Sequence, residues 1–298
     1  MSIIEQHIVP ASISKQRLSD YCCGVFTALP SRKGVKKAIK AGRILLNGRT
    51  GQTGDWVLPG QTIQVLADNR PLTKIYERKL PVCFENDYFA VINKPAGIPV
   101  SGNQFKTIGN MLAYNLEISA HIDALARPYP LHRLDAPTSG LLLVAKTASA
   151  QLKLGPLFAN RQIKKTYQAI VCGTTQGHGQ IDLVVDGKSA ISHFQRIRTG
   201  PSIKNGTLSW LNLRPETGRT HQLRIHLASI GHPIMGDQLY GEDGKVYRGK
   251  GLFLCATGLS FTDPWTQESF QLEIPAPAKF EKLMVREAGM WERFQLGK

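Results

Sequence analysis

Apolar and polar positions change period along this chain, and the changes mark out its elements. Residues 141–145, Leu-Leu-Leu-Val-Ala, form an unbroken apolar run of strand length, which predicts a strand covered on both faces. Just before it, Pro137-Thr138-Ser139-Gly140 is turn-forming sequence, so Asp135 falls where extended chain meets a turn. Residues i and i+2 of extended chain point the same way, which puts Arg133 and Asp135 on one face and His132 and Leu134 on the other. An acid and a base therefore project into the same space.

The first quarter of the chain reads as helices followed by a small sheet. Leu18, Tyr21, Cys22, Val25 and Phe26 recur at helical spacing within residues 14–29, after a short leader. Ser31 can cap a second helix over residues 32–41, closed by Gly42, with Val35, Ala38 and Ile39 inward and Arg32, Lys33, Lys36, Lys37 and Lys40 outward. Asn47-Gly48 favours a tight hairpin, and residues 62–66 suit a strand. The polar stretch 69–80 reads as a linker between a domain at residues 1–68 and a second at 81–298. There, residues 82–93 predict strand, turn and strand, and residues 107–117 a helix. A helix over 148–160 should bend or break at Gly155-Pro156. Residues 165–171 alternate as a strand, 210–213, 252–261 and 269–274 add more sheet, and 279–294 closes the chain as a helix. Thr220 can cap a helix with Leu223, Leu227 and Ile230 along one stripe and Gly231 at its end. The class is α+β, with a mixed, mostly antiparallel central sheet flanked by helices and a small N-terminal α/β domain.

Charge narrows the partners. The 298 residues hold 37 Lys and Arg against 22 Asp and Glu, a net +15, which points to an anionic partner, nucleic acid foremost. Residues 1–80 are the more basic per residue, and 32–49 carry seven basic and no acidic side chains. No apolar run nears the roughly 20 residues that span a bilayer, so no membrane partner is expected. The opening MSIIEQHIVP lacks the pattern of a secretory signal, which makes the cytoplasm the expected compartment. Five cysteines without a CxxC pair argue against disulfides or structural zinc. His221, His226 and His232 do not share a helical face, which leaves them hydrogen-bonding roles rather than a metal set.

Two blocks carry a resemblance. LHRLDAPTSGLLLVAK at 131–146 and RPETGRTHQLRIHLASIGHPIMGDQLYG at 214–241 resemble, in order, signatures of the RluA-like family of pseudouridine synthases, which act on large-ribosomal-subunit RNA and tRNA. Residues 82–97 resemble the opening of that family's catalytic domain, and SRKGVKKAIKAGRILLNG followed by residues 58–63 resembles an S4-like RNA-binding domain. The resemblance implies a pseudouridine-synthase fold and an isomerase that cuts the N1–C1′ bond of a uridine, turns the base and rejoins it through C5. It also implies no cofactor or metal, RNA as partner (large-subunit ribosomal RNA ahead of tRNA) and a monomer.

The same resemblance assigns roles residue by residue. Asp135 is the essential carboxylate, either attacking C1′ or removing a proton from C2′. Arg224 would keep it ionised, and Tyr167 would stack on the uracil. Arg133 would fill the gap left by the flipped uridine, or hold a phosphate. Arg32, Lys33, Lys36, Lys37, Lys40, Arg43 and Arg49 would meet phosphates. Rival readings are a non-catalytic ribosome-assembly factor, which intact Asp135, Tyr167 and Arg224 oppose, and a glycosidase, which normally needs two carboxylates. Cys255, where relatives commonly carry His, and Gly155-Pro156 depart from the pattern.

Overall fold

The computed structural model describes residues 2–29, 31–67, 75–241 and 249–296. The smaller unit comprises β1 (Ile3–Ile8), β2 (Gln16–Arg17), α1 (Leu18–Tyr21), α2 (Arg32–Lys40), β3 (Ile44–Leu46), β4 (Arg49–Thr50), β5 (Trp56–Val57) and β6 (Thr62–Leu66). Its main sheet is antiparallel in the order β1-β6-β3-β4, and β2 and β5 form a separate ribbon. Ser31 caps α2 by accepting from the Gly34 amide at 3.1 Å, and Asn47 and Gly48 take the positive φ a tight hairpin needs. Val35, Ala38 and Ile39 of α2 bury against Leu18, Cys22, Phe26, Ile63 and Val65 in a core of this unit's own.

The larger unit comprises β7 (Val82–Glu85), β8 (Phe89–Lys94), α3 (Ile108–Asn115), β9 (Ala124–Pro130), β10 (Ser139–Thr147), α4 (Ala148–Ala159), β11 (Lys164–Cys172), β12 (His178–Asp182), β13 (Ile191–Ser202), β14 (Gly206–Pro215), α5 (Gln222–Ser229), β15 (Leu254–Thr262), β16 (Ser269–Glu273) and α6 (Lys279–Leu296). Its sheet runs β12-β13-β14-β11-β15-β10-β8-β7, with β9 on β10 and β16 on β15; β10 and β15 pair parallel and the other contacts are antiparallel. Successive residues of β10 feed opposite cores. Leu142 and Val144 pack with α3, α5 and α6, while Leu141, Leu143 and Ala145 pack with α4 and β16. Full burial of each leucine contributes about 1.5–3 kcal/mol, so β10 is pinned on both faces. Gly140, at its start, has φ +114°, and an added Cβ would lie 2.1 Å from the Ala256 carbonyl oxygen of β15. The parallel pairing thus fixes the chain directly beyond the Asp135 turn.

Several expectations are corrected. The stretch expected as a short leader before residue 14 contains the edge strand β1. The helix expected over 14–29 is one turn, because Gln16 and Arg17 pair with β5 and Gly24 takes φ +84°; Leu18, Cys22 and Phe26 still face inward. Helix α4 runs unbroken through Pro156, whose missing amide leaves only the carbonyl one turn back, on exposed Leu152, without its helical donor. The N-cap of α5 is His221, not Thr220, and Ile230 ends the helix partly exposed. Residues 69–74 of the expected linker, with residue 68 before them, lie outside the described residues. The rest of it, 75–80, is strapped to the larger unit: Tyr76 N–H donates to the Asn110 carbonyl at 2.8 Å and Leu80 N–H to Asn115 Oδ1 at 2.7 Å.

Candidate active site

Asp135 lies on the loop between β9 and β10, and three anchors hold that loop. The Leu143 amide donates to His132 Nε2 at 3.0 Å, and the Gly97 amide donates to the Ala136 carbonyl at 2.7 Å. Fully buried Lys94 places its ammonium on the carbonyls of Pro95 (2.9 Å) and Ala136 (3.1 Å). Burial pushes Lys94 down to about 8, against the upward pull of the Asp135 charge. Burial, helped by Lys165, pushes His132 down to about 3, so this imidazole is the neutral acceptor its hydrogen bond requires. Leu134 enters the core while Arg133 and Asp135 turn outward, as the alternation requires.

Above the carboxylate is a cavity of ≈ 450 Å³. Arg133, Asp135, Lys165, Tyr167, His221 and Arg224 are among its lining, so four residues singled out from sequence converge here from the β9–β10 loop, β11 and α5. Tyr167 is buried on β11 opposite Leu213 and Ala256; burial and then the Asp135 charge push its hydroxyl well above the ordinary tyrosine value. It therefore stays a protonated, largely apolar ring face.

Arg224, in the first turn of α5, is buried, and its Nη1 sits 3.7 Å from Asp135 Oδ2. Its main partner is a residue the sequence reading did not single out. Nε and Nη2 each donate at 2.7 Å to the two carboxylate oxygens of Asp237. Burial alone would lower the pKa of Arg224, but the Asp237 bonds and charge, with Asp135 and Tyr240, hold it above its usual value. Burial alone would raise Asp237; Arg224 and the amides of Leu239 and Tyr240 hold it below. Such a fork-to-fork pair leaves Arg224 little freedom, so the cation beside Asp135 is fixed before any substrate arrives.

His221 is a second addition. It holds a left-handed backbone (φ 55°, ψ 18°), with Nε2 3.8 Å from Asp135 Oδ1 and Nδ1 3.0 Å from the Tyr240 hydroxyl. Each carboxylate oxygen of Asp135 thus faces one nitrogen-bearing side chain. His226 and His232 turn elsewhere, to the carbonyls of Leu183 and Cys172. Among the described residues no group of three His, Cys, Asp or Glu could hold a metal ion, and no helix is long and apolar enough to cross a membrane.

The expected phosphate-binding cations belong to the smaller unit, and three of them already have partners there. Arg32 pairs with Asp20 at 2.7 Å, Arg49 with Asp55 at 3.1 Å, and Arg43 donates to the Leu66 carbonyl at 3.0 Å. The run without acids is therefore partly compensated from elsewhere in the chain. Lys33, Lys36, Lys37 and Lys40 remain exposed on α2.

The chain is similar to known proteins over the region that holds these residues. The family model for RNA pseudouridylate synthase matches residues 88–229, which include Asp135, Tyr167 and Arg224. The chain is 31% identical to the ribosomal large subunit pseudouridine synthase D of Xanthomonas campestris pv. campestris over 95% of its own length and 92% of that protein's. It is 33% identical to the protein of the same name from Haemophilus influenzae, over 90% of each chain. The solved structure of human RNA pseudouridylate synthase domain containing 1 superposes with a TM-score of 0.56 at 26% identity, over 70% of this chain and 86% of the other.

Proposed function

The chain belongs to the RNA pseudouridylate synthase family and isomerises uridine to pseudouridine in RNA; from that premise we propose how its residues divide the work. Asp135 is the carboxylate that acts on the ribose of the target uridine. Arg224, clamped by Asp237, keeps a fixed positive charge beside it, and Tyr167 offers the uracil a stacking face inside the first cavity. One observation carries this division: Nε and Nη2 of Arg224 are engaged by Asp237, and the remaining nitrogen, Nη1, lies 3.7 Å from Asp135 Oδ2. Arg133, exposed at the cavity mouth, takes the gap left by the flipped base or the adjoining phosphate. The other carboxylates near Asp135 are engaged elsewhere, Asp237 fully buried in its pair with Arg224 and Glu216, on the cavity wall, with His193 at 2.6 Å, which disfavours the two-carboxylate arrangement of a glycosidase.

The substrate is large-subunit ribosomal RNA, bound by a monomer in the cytoplasm. The names of the relatives that cover nearly the whole chain support this choice over tRNA. The smaller unit, with its capped basic helix and hairpin, acts as an S4-like RNA-binding domain, and its exposed lysines supply sequence-independent affinity. Mapping pseudouridine across all RNA from cells with and without this protein tests the assignment. Loss of one or a few sites in large-subunit ribosomal RNA is expected. Loss confined to tRNA would overturn the choice of substrate.

A further inference from the structure

A second cavity, ≈ 530 Å³, adjoins the first. Arg133, Leu134, Asp135, His221 and Arg224 belong to the walls of both, so Asp135 stands at the saddle between them. Tyr167 lines the first cavity but not the second, which places the stacking face for the target base on one side and leaves the other for a different part of the RNA. Cavities of roughly 300–1,000 Å³ suit ligands of small-molecule size, and a single nucleoside falls in that class.

The far wall of this cavity includes Gln238 and Leu239, both exposed, Leu239 to 67%. The backbone that carries them is tied down. The amides of Leu239 and Tyr240 donate to Asp237 Oδ1 at 3.0 and 3.2 Å, and the Gly241 amide donates to the Asp237 carbonyl at 3.1 Å. The same Asp237 carboxylate grips Arg224, which faces Asp135. One connected set of polar contacts thus holds the backbone that carries Gln238 and Leu239 at a set offset from the reacting carboxylate. Substrate reading needs that rigidity, because a side chain can discriminate between bases only from a fixed position.

We propose that the second cavity holds the nucleotide adjacent to the target uridine, its base packed on Leu239 and its edge read by the Gln238 amide. The proposal rests on the assignment of Asp135, Arg224 and Tyr167 made above. Continuity favours an RNA occupant: a strand with its uridine over Asp135 leads directly into the neighbouring space, and exposed Arg133, on both walls, can meet the phosphate between the two nucleotides. A glutamine amide offers one donor and one acceptor side by side, which suits a base edge, and an exposed leucine suits the face of an unstacked base.

The test uses the full chain and a pool of short RNA stem-loops whose loop uridine is flanked by randomised nucleotides, with pseudouridine read by sequencing. Wild type is expected to prefer certain bases at one position next to the uridine. Gln238→Ala should reduce that discrimination by about fivefold to tenfold, in the range of one lost base-edge contact, while preferences elsewhere persist. Leu239→Ala should raise KM on the preferred RNA more than it lowers kcat. Both side chains are exposed, so neither change removes core packing. Identical flank preferences in wild type and Gln238→Ala would overturn the proposal, as would a uniform loss at all positions. A wild-type pool that binds but carries no pseudouridine would instead contradict the assignment of the active site itself.

Discussion

Asp135, Arg224 and Tyr167 could be placed from sequence because each sits inside a motif or a period: two signature blocks and one alternating strand. The groups around them could not, since a pair such as Arg224 with Asp237 joins a helix to a loop thirteen residues on, and no periodicity reports it. One signal was available. An arginine beside the helix's apolar stripe at Leu223 and Leu227 needs a buried acid, and the block 214–241 contains only Glu216 and Asp237. His221 was left with a hydrogen-bonding role in general, because the left-handed backbone that aims it at Asp135 is uncommon for any residue but Gly and no local pattern announces it. Two substitutions separate the roles. Arg224→Met should slow saturated turnover at least about 100-fold, a barrier increase of about 2.7 kcal/mol. Asp237→Ala should act first on stability, by about 3–5 kcal/mol, because it strands a buried guanidinium. Denaturant unfolding and single-turnover rates on the same preparations check both, and an unchanged saturating rate in Arg224→Met would remove Arg224 from the site.

Elements were most legible where a cap or turn chemistry bounded an apolar pattern. Helix α2, with Ser31 before it and Gly42 after it, and the Asn47-Gly48 hairpin stand where the sequence puts them. Elements defined by tertiary pairing were the ones mistaken. Residues 16–17 give up helix for a ribbon with β5, and β1 exists because β6 offers it an edge. Pro156 is tolerated because the carbonyl it leaves without a donor belongs to an exposed residue. Helix α2 also allows a sharp test of the RNA-binding reading. With Arg32, Arg43 and Arg49 held by internal partners, that reading leaves exposed Lys33, Lys36, Lys37 and Lys40 as the cations for phosphate. Changing all four to alanine should make the slope of log affinity against log salt less negative by about two to three, at roughly 0.7–0.9 per lost contact with about three engaged at once. Binding isotherms at several salt concentrations measure it, and an unaltered slope would leave α2 as solvated surface.

At the scale of the whole molecule, two units with separate cores correspond to two tasks in the proposed account: a basic unit that binds RNA backbone and a sheet unit that holds one carboxylate between fixed nitrogen groups. Net charge pointed to nucleic acid, and the two-sided sheet of the larger unit was foreseen from the apolar run 141–145, because alternate residues of β10 had to bury on opposite faces. The cavities were not legible, since they arise where the β9–β10 loop, β11 and α5 meet across long sequence separations. The measurement that bears most directly on the account compares wild type with Asp135→Asn for two quantities, pseudouridine formed in single-turnover reactions at saturating ribosomal RNA and affinity for that RNA. Asparagine keeps the size of the side chain and removes its charge, whereas affinity is spread over many cations. The expected result is loss of detectable product with affinity within about threefold, less than the roughly 1.4 kcal/mol of a tenfold change. Product formed within tenfold of the wild-type rate would contradict the central claim that Asp135 carries the chemistry.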